Sequence, residues 1–374
     1  MPERWASHEK HMNSSRIIFL AMYAMDTVDR GSTVRIHNIH RALSELAEVD
    51  YIHGENGERR RRIRRYLKSD KLEGASGLYV ETCTSWCTLE DLQLMAACRR
   101  AGVPVLTWIM DAYPMFPETF GDYPTHKRFI VSILWRLSMW GYTQTSDAIG
   151  SQSESFSRLF TYPSHVRRVV LQPGANELTV PPISADAAAL MYTGNASQTR
   201  FGVDLLVKAV ERARETLSEL QLLLVCPPTG LPPRELYAGR AWIELLSLQT
   251  GEIPDLLPQV RVLVNPLRDA PYHRLQVPTK VMDYLGYGRP ILATDLPEIR
   301  GVIEDCGAGV LVPDTVEGLA QGIVDLFSTG IDELNQMGAN ALQAVREKHA
   351  WRHRAQQIVE IFTELRSARQ ESQI

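Results

Sequence analysis

The chain has 374 residues, 44% hydrophobic and 22% charged, a balance that fits a soluble globular protein with two cores rather than one. Its net charge of -4, mildly basic up to residue 170 and acidic beyond, argues against a nucleic-acid partner, and no RNA- or DNA-reading signature is present. The five cysteines, at 83, 87, 98, 226 and 306, lack a two-residue metal or redox spacing and read as reduced core residues of a cytoplasmic protein.

The opening stretch, "MPERWASHEKHMNSS", is polar and lacks the apolar centre of a signal peptide, so residues 1–15 are expected to be disordered. "RIIFLAMY" (16–23) is the first strand. "DRGSTVR" then joins it to a helix, with Gly31, Ser32, Thr33 and Arg35 at the helix N-terminus, where an ordinary capped turn and a cleft-lining loop are both open. The alternation continues through strand "VDYIHG", helix "ERRRRIRRYLK", strand "GLYVET" ending near Glu81, helix "TLEDLQLMAACRRAG" and strand "PVLTWIM". Asp111 follows that strand at its carboxyl end. The greasy stretch "FIVSILWRLSMWGY" (129–142) is too short to span a membrane and carries Arg136, so it reads as a buried helix. Strands around "DAIGSQ" and "VRRVVLQP" complete a parallel sheet over 16–172 with right-handed helical crossovers.

Residues 173–188, "PGANELTVPPISADAA", carry no period and read as an interdomain linker. The alternation restarts with "ALMYTG", helix "GVDLLVKAVERARET" and strand "LQLLLVC", passes a proline-rich stretch to about 258, and resumes with "QVRVLVNP". Helix "PTKVMDYLGYG", strand "PILATD", helix "PEIRGVIEDCG", strand "AGVLVPD" and helix "TVEGLAQGIVDLF" bring the second domain to 331, and residues 332–374 read as a helical tail. Neither half has a G-x-G-x-x-G after a strand, nor a Walker loop.

Lys280 stands in the first turn of its helix, at the positive end of the macrodipole, where a cation is unfavourable unless a ligand brings negative charge. The surrounding "PTKVMDYLGYGRPILATD" resembles the GT-B glycosyltransferases, above all glycosyltransferase family 4, in its P-x-K-x-x-acid-Y-x-x-x-G-x-P order. "MYTGNASQTRFGVDLLVKAV" resembles that family's opening strand, glycine loop and first donor-domain helix, and "DAIGSQSESFSRLF" the end of its acceptor domain. The likeness is strong over 190–330 and loose before 145.

The resemblance implies two Rossmann-like α/β domains facing a cleft, an acceptor domain first and a nucleotide-sugar donor domain second. It implies sugar transfer to a hydroxyl of a carbohydrate or lipid-linked acceptor, in cell-surface polysaccharide or glycoconjugate synthesis. Lys280, Thr279, Gly194, Asn195 and Arg200 would hold the donor phosphates, and Asp283 the ribose hydroxyls. Four positions depart from the family: Asn195 and Phe201 where its loop usually has an arginine and a lysine, which leaves Arg200 as the nearby cation, Leu275 where it has an acid, and Met110 where it often has a histidine. Asp111 is therefore the candidate base if the transfer inverts, or a group that only orients sugar hydroxyls if it retains, both outcomes being open, with Glu81 second. The departures leave an inactive nucleotide-binding subunit as an alternative, and a nucleotide-sugar epimerase shares the architecture.

No D-x-D is present, and His349 and His353, four apart on the tail helix, have no third ligand, so neither metal nor cofactor is expected. His37 and His40 on the first helix read as structural at one position or both. The run Arg59–Arg65 fits either a solvated amphipathic face or a patch for an anionic membrane, which would place the protein on the inner face of the membrane.

Overall fold

The computed structural model describes residues 15–25, 31–82, 86–120, 124–248 and 250–371. The expected disordered N-terminus up to residue 14, Cys83, and Asp29 and Arg30 of the first glycine loop lie outside the described residues. The chain divides into two compact units, one built from 15–25, 32–172 and 351–371, the other from Gly31 and 173–350.

In the first unit β1 (Arg16–Ala21), α1 (Gly31–Ser44), β2 (Glu48–Ile52), α2 (Asn56–Tyr66), β3 (Ala75–Glu81), α3 (Leu89–Arg100), β4 (Val105–Trp108), α4 (Thr125–Thr145), β5 (Ala148–Ser151), α5 (Glu154–Ser157) and β6 (Arg167–Val170) alternate. The six strands form one parallel sheet in the order β2-β1-β3-β4-β5-β6. Its central strands are apolar on both faces because helices cover both, whereas β2 and β6 at the edges keep half-exposed residues.

The second unit repeats the plan with β7 (Ala189–Thr193), α6 (Val203–Ala213), β8 (Gln221–Val225), β9 (Ile243–Leu246), β10 (Val260–Asn265), α7 (Thr279–Gly286), β11 (Ile291–Thr294), α8 (Pro297–Ile303), β12 (Gly309–Val312), α9 (Val316–Ser328) and α10 (Ile331–Ala344). Strand order is β12-β11-β10-β7-β8-β9, all parallel. The order reverses between β7 and β10, so a crevice opens beyond their carboxyl ends. β9 lies inside the proline-rich stretch that the sequence pattern leaves without a strand. Residues 173–188 hold no helix or strand and lie along the second unit, with the Leu178 N–H donating to Gly286 at 3.0 Å and the Ile183 N–H to Asn335 Oδ1 at 2.8 Å.

The helical tail is not one piece. α10 stays with the second unit, a π-turn spans Val345–His349, and Ala350 is extended. The last helix, α11 (Trp351–Glu371), belongs to the first unit and packs Trp351, Ala355, Ile358, Ile361 and Phe362 against Ile17, Phe19, Tyr79 and Trp108. Gly77 makes that approach possible: a Cβ there would stand 2.4 Å from the Phe362 ring.

The arginine run of α2 is mostly engaged within the protein. Arg59, buried, makes a two-pronged pair with Asp91 of α3, at 2.8 and 2.9 Å, and donates to the Gly54 carbonyl at 2.8 Å. Arg60 and Arg64 both reach Glu90 of α3, at 3.0 and 2.5 Å, and Arg62 pairs with Glu58 at 2.6 Å. The run therefore ties α2 to α3, and buried Arg59 takes no part in an outward face, which corrects that one member of the expected Arg59–Arg65 patch. Arg61 and Arg65 remain exposed.

Candidate active site

The second unit gathers its polar groups at the carboxyl ends of β7 and β10. α7 starts at Thr279 after Pro278, with no side-chain cap and no acid in its first turn, so the dipole there is unneutralised by the protein. Val281, Met282, Tyr284 and Leu285 anchor the helix in the core, and Tyr287 is buried too. Thr279, Lys280 and Asp283 are half-buried at the mouth of the crevice.

Lys280 reaches across to the loop after β7. Its Nζ donates to the Tyr192 hydroxyl at 2.9 Å and stands 4.1 Å from the Tyr192 ring centroid and 5.9 Å from that of Phe201. Tyr192 in turn donates to the Asn195 carbonyl at 2.5 Å. Gly194 has a φ of +113°, a conformation that favours glycine, and a Cβ there would come 3.1 Å from Lys280 Nζ and crowd the ammonium by a few tenths of an ångström. The Asn195 side chain turns back on its own loop, accepting from the Ser197 N–H and hydroxyl at 2.9 and 2.8 Å. Arg200 lies over the Phe201 ring at 4.9 Å, the same ring that Lys280 approaches.

Tyr284 ties helix to strand. Its hydroxyl accepts from the Thr193 N–H at 2.9 Å and donates to the Val264 carbonyl at 3.3 Å, joining α7 to the ends of both switch-point strands. Tyr192, Phe201 and Tyr284 are site residues that motif reasoning missed. The signal for the first is its place one residue before the glycine loop on a fully buried strand.

Burial lowers the Lys280 ammonium from 10.5 to about 7, and burial raises the Asp283 carboxyl from 3.8 to about 7. No ion pair reaches either side chain among the described residues. An anion at the α7 N-terminus would restore the charge on Lys280.

In the first unit the sequence candidates part company. Glu81 is fully buried, accepting from Arg35 Nε at 3.0 Å and from the Tyr79 hydroxyl at 2.5 Å. Arg35 is equally buried and lies 3.6 Å over the Trp108 ring. Both residues are interior, which corrects their placement at an open cleft. Thr33 is also buried, while Gly31 is exposed and Ser32 half-exposed at the start of α1. Asp111 is half-exposed just beyond β4, and its carbonyl accepts from Trp135 Nε1 at 3.2 Å. Met110 is buried beside it, and its N–H donates to Thr82 Oγ1 at 3.0 Å. Leu275 ends a short 3-10 turn ahead of α7 and is half-buried. No cluster of three metal-ligating side chains occurs among the described residues.

Residues 187–329 match the family model described as "Glycosyl transferases group 1". No curated protein matches the sequence. Solved structures are similar over almost the whole chain. A sucrose-phosphate synthase from Thermosynechococcus elongatus is 14% identical, with 95% of this chain and 100% of that one covered at a TM-score of 0.68. The Anabaena HepE protein in complex with UDP and glucose is 13% identical, with 94% and 100% covered at 0.65. An alpha,alpha-trehalose-phosphate synthase (UDP-forming) from Burkholderia vietnamiensis is 11% identical, with 96% and 99% covered at 0.62. The fold shared with these structures is GT-B, two Rossmann-like α/β units in tandem.

Proposed function

We propose that this chain, whose second unit is a group 1 glycosyltransferase domain, transfers a sugar from a uridine-diphosphate donor to a hydroxyl of a carbohydrate or lipid-linked acceptor. The observation that carries the reading is the meeting of Gly194, Lys280 and the uncapped α7 N-terminus at the switch point of the second sheet. That constellation is built for a diphosphate: backbone N–H groups, a helix dipole and a lysine held by Tyr192 converge on one spot. HepE was solved with UDP and glucose, and the pneumococcal transferase GtfA, a further structural match, with UDP and GlcNAc, which supports uridine diphosphate as the nucleotide.

Transfer needs two services from the protein. The leaving diphosphate gains negative charge as the sugar departs, and Lys280 with the α7 dipole stabilises it there. Asp283 accepts hydrogen bonds from the ribose hydroxyls and fixes the nucleotide against α7. Arg200 adds a second cation near the same ring as Lys280. In the first unit Asp111 takes the acceptor proton, since Glu81 is already held by Arg35 and Tyr79. A product in cell-surface polysaccharide or glycoconjugate synthesis fits this chemistry.

Differential scanning fluorimetry with nucleoside diphosphates and their sugars tests the reading, because a ligand of the folded state raises the melting temperature by mass action. Uridine diphosphate should raise it and uridine alone should not. Indifference to every nucleoside diphosphate would overturn the proposal.

A further inference from the structure

α4 has two apolar faces. Trp135, Met139 and Tyr142, with Ser138 and Gly141, are buried on one side. On the other stand Phe129, Ile130, Ile133, Leu137 and Trp140, exposed at 67%, 53%, 41%, 59% and 66%. At about 100° per residue those five fall within one arc of about 100°, a continuous stripe along the helix. This corrects the expectation of a wholly buried helix.

Neighbouring segments extend the stripe. The Cys87 N–H donates to Ser138 Oγ at 2.9 Å on the inner side of α4, so exposed Trp86 and Leu89 belong to a segment packed on this helix, and Ser132 Oγ donates to the Pro114 carbonyl at 3.3 Å, next in sequence to exposed Met115. Among the described residues, eight of the nine exposed large hydrophobic side chains lie in this one region of the first unit. Water would not be left against such a surface in a working protein.

Charge identifies what covers it. The 21 residues of α4 include His126, Lys127, Arg128 and Arg136 and no acid. Of the acids on segments packed against α4, Glu90 and Asp91 of α3 are paired with Arg60, Arg64 and Arg59, and Asp111 meets the helix at Trp135, on its inner side. A second copy docked through the same helix about a two-fold axis would bring no acid of its α4 to Lys127, Arg128 or Arg136. An anionic surface with an apolar interior satisfies both features at once. No helix among the described residues is long and apolar enough to cross a membrane, so α4 would lie in the plane of the interface.

We propose that the outer face of α4 docks this protein on an anionic lipid bilayer, with Phe129, Ile133, Leu137 and Trp140 among the acyl chains and Lys127 and Arg136 at the headgroups. The proposal stands on this face alone and does not depend on the sugar-transfer reading.

Sedimentation of the full chain with phosphatidylcholine vesicles containing about 30% phosphatidylglycerol tests it. Wild type should pellet with these vesicles and far less with pure phosphatidylcholine. The triple variant Ile133→Ser, Leu137→Ser, Trp140→Ser, which changes only exposed side chains, should partition at least about tenfold less. The separate variant Lys127→Glu, Arg136→Glu should lose the preference for anionic vesicles. Wild type remaining in the supernatant, or binding equally to neutral vesicles, would overturn the proposal. So would a concentration-dependent dimer that the triple variant converts to monomer, since the face would then join two copies.

Discussion

The two units treat buried charge in opposite ways. In the first, Arg35 meets Glu81 and Tyr79, and Arg59 meets Asp91, so these two buried arginines have their counter-charges inside the protein. In the second, Lys280 and Asp283 stand half-buried at the mouth of the crevice with no ion pair among the described residues, and burial shifts both toward neutrality near pH 7. The difference separates charges that hold the fold from charges that the fold leaves uncompensated. Removing half of a satisfied pair strands its partner, whereas removing an unsatisfied charge relieves the fold.

Asp111 sharpens the comparison most, because it and Glu81 are both carboxylates at strand ends of the first sheet. Asp111→Asn should lower turnover about 10²–10⁴-fold at saturating donor, the usual contribution of a positioned base, with folding and donor affinity unchanged. Glu81→Gln should instead show its effect in denaturant. A well-folded Glu81→Gln variant that loses turnover while Asp111→Asn keeps it would reverse the two roles.

Next in size are the interior pairs. Arg35→Ala and Arg59→Ala should each cost about 3–5 kcal/mol in urea unfolding, the penalty for leaving a buried carboxylate alone. Lys280→Ala should leave the urea midpoint unchanged or raise it. Equal losses for all three would erase the distinction between the units.

The smallest effect lies in the pH dependence of binding. The free Lys280 loses its proton through about 7, and a bound diphosphate favours the ammonium, so binding takes up a proton above that pH. Affinity for uridine diphosphate should be full below about pH 7 and fall by up to about tenfold per unit above it. Asp283 titrates in the same range with the opposite sign, so the measurement belongs in an Asp283→Asn background. A flat profile from about pH 7 to 9 would show that Lys280 does not meet the phosphates.

The two parallel sheets were legible because each strand is a short apolar run between helices of crossover length. β9 was not, since Glu244 interrupts its apolar run and prolines precede it in the stretch. Lys280 could be picked out by its conflict with the helix dipole, a local property. Its setting between Tyr192 and Phe201 could not, because those contacts join loops about 80 residues away in sequence, as loop closure readily allows. Glu81 misled for a related reason: a strand end predicts proximity to a cleft, but not that Arg35, 46 residues earlier, turns inward to meet it. α4 misled through composition. A helix apolar on every side reads as buried, and only packing reveals that one of its faces has no partner in the chain.

The central claim is that Lys280 is the phosphate ligand of the second unit. Isothermal titration of uridine diphosphate at about pH 6.5, where the ammonium is present in the free protein, tests it most directly. Lys280→Ala should weaken binding by about 1.5–3 kcal/mol, as expected for one charge-assisted contact to phosphate, with the urea midpoint not lowered. Wild-type affinity in a folded Lys280→Ala variant would contradict the account.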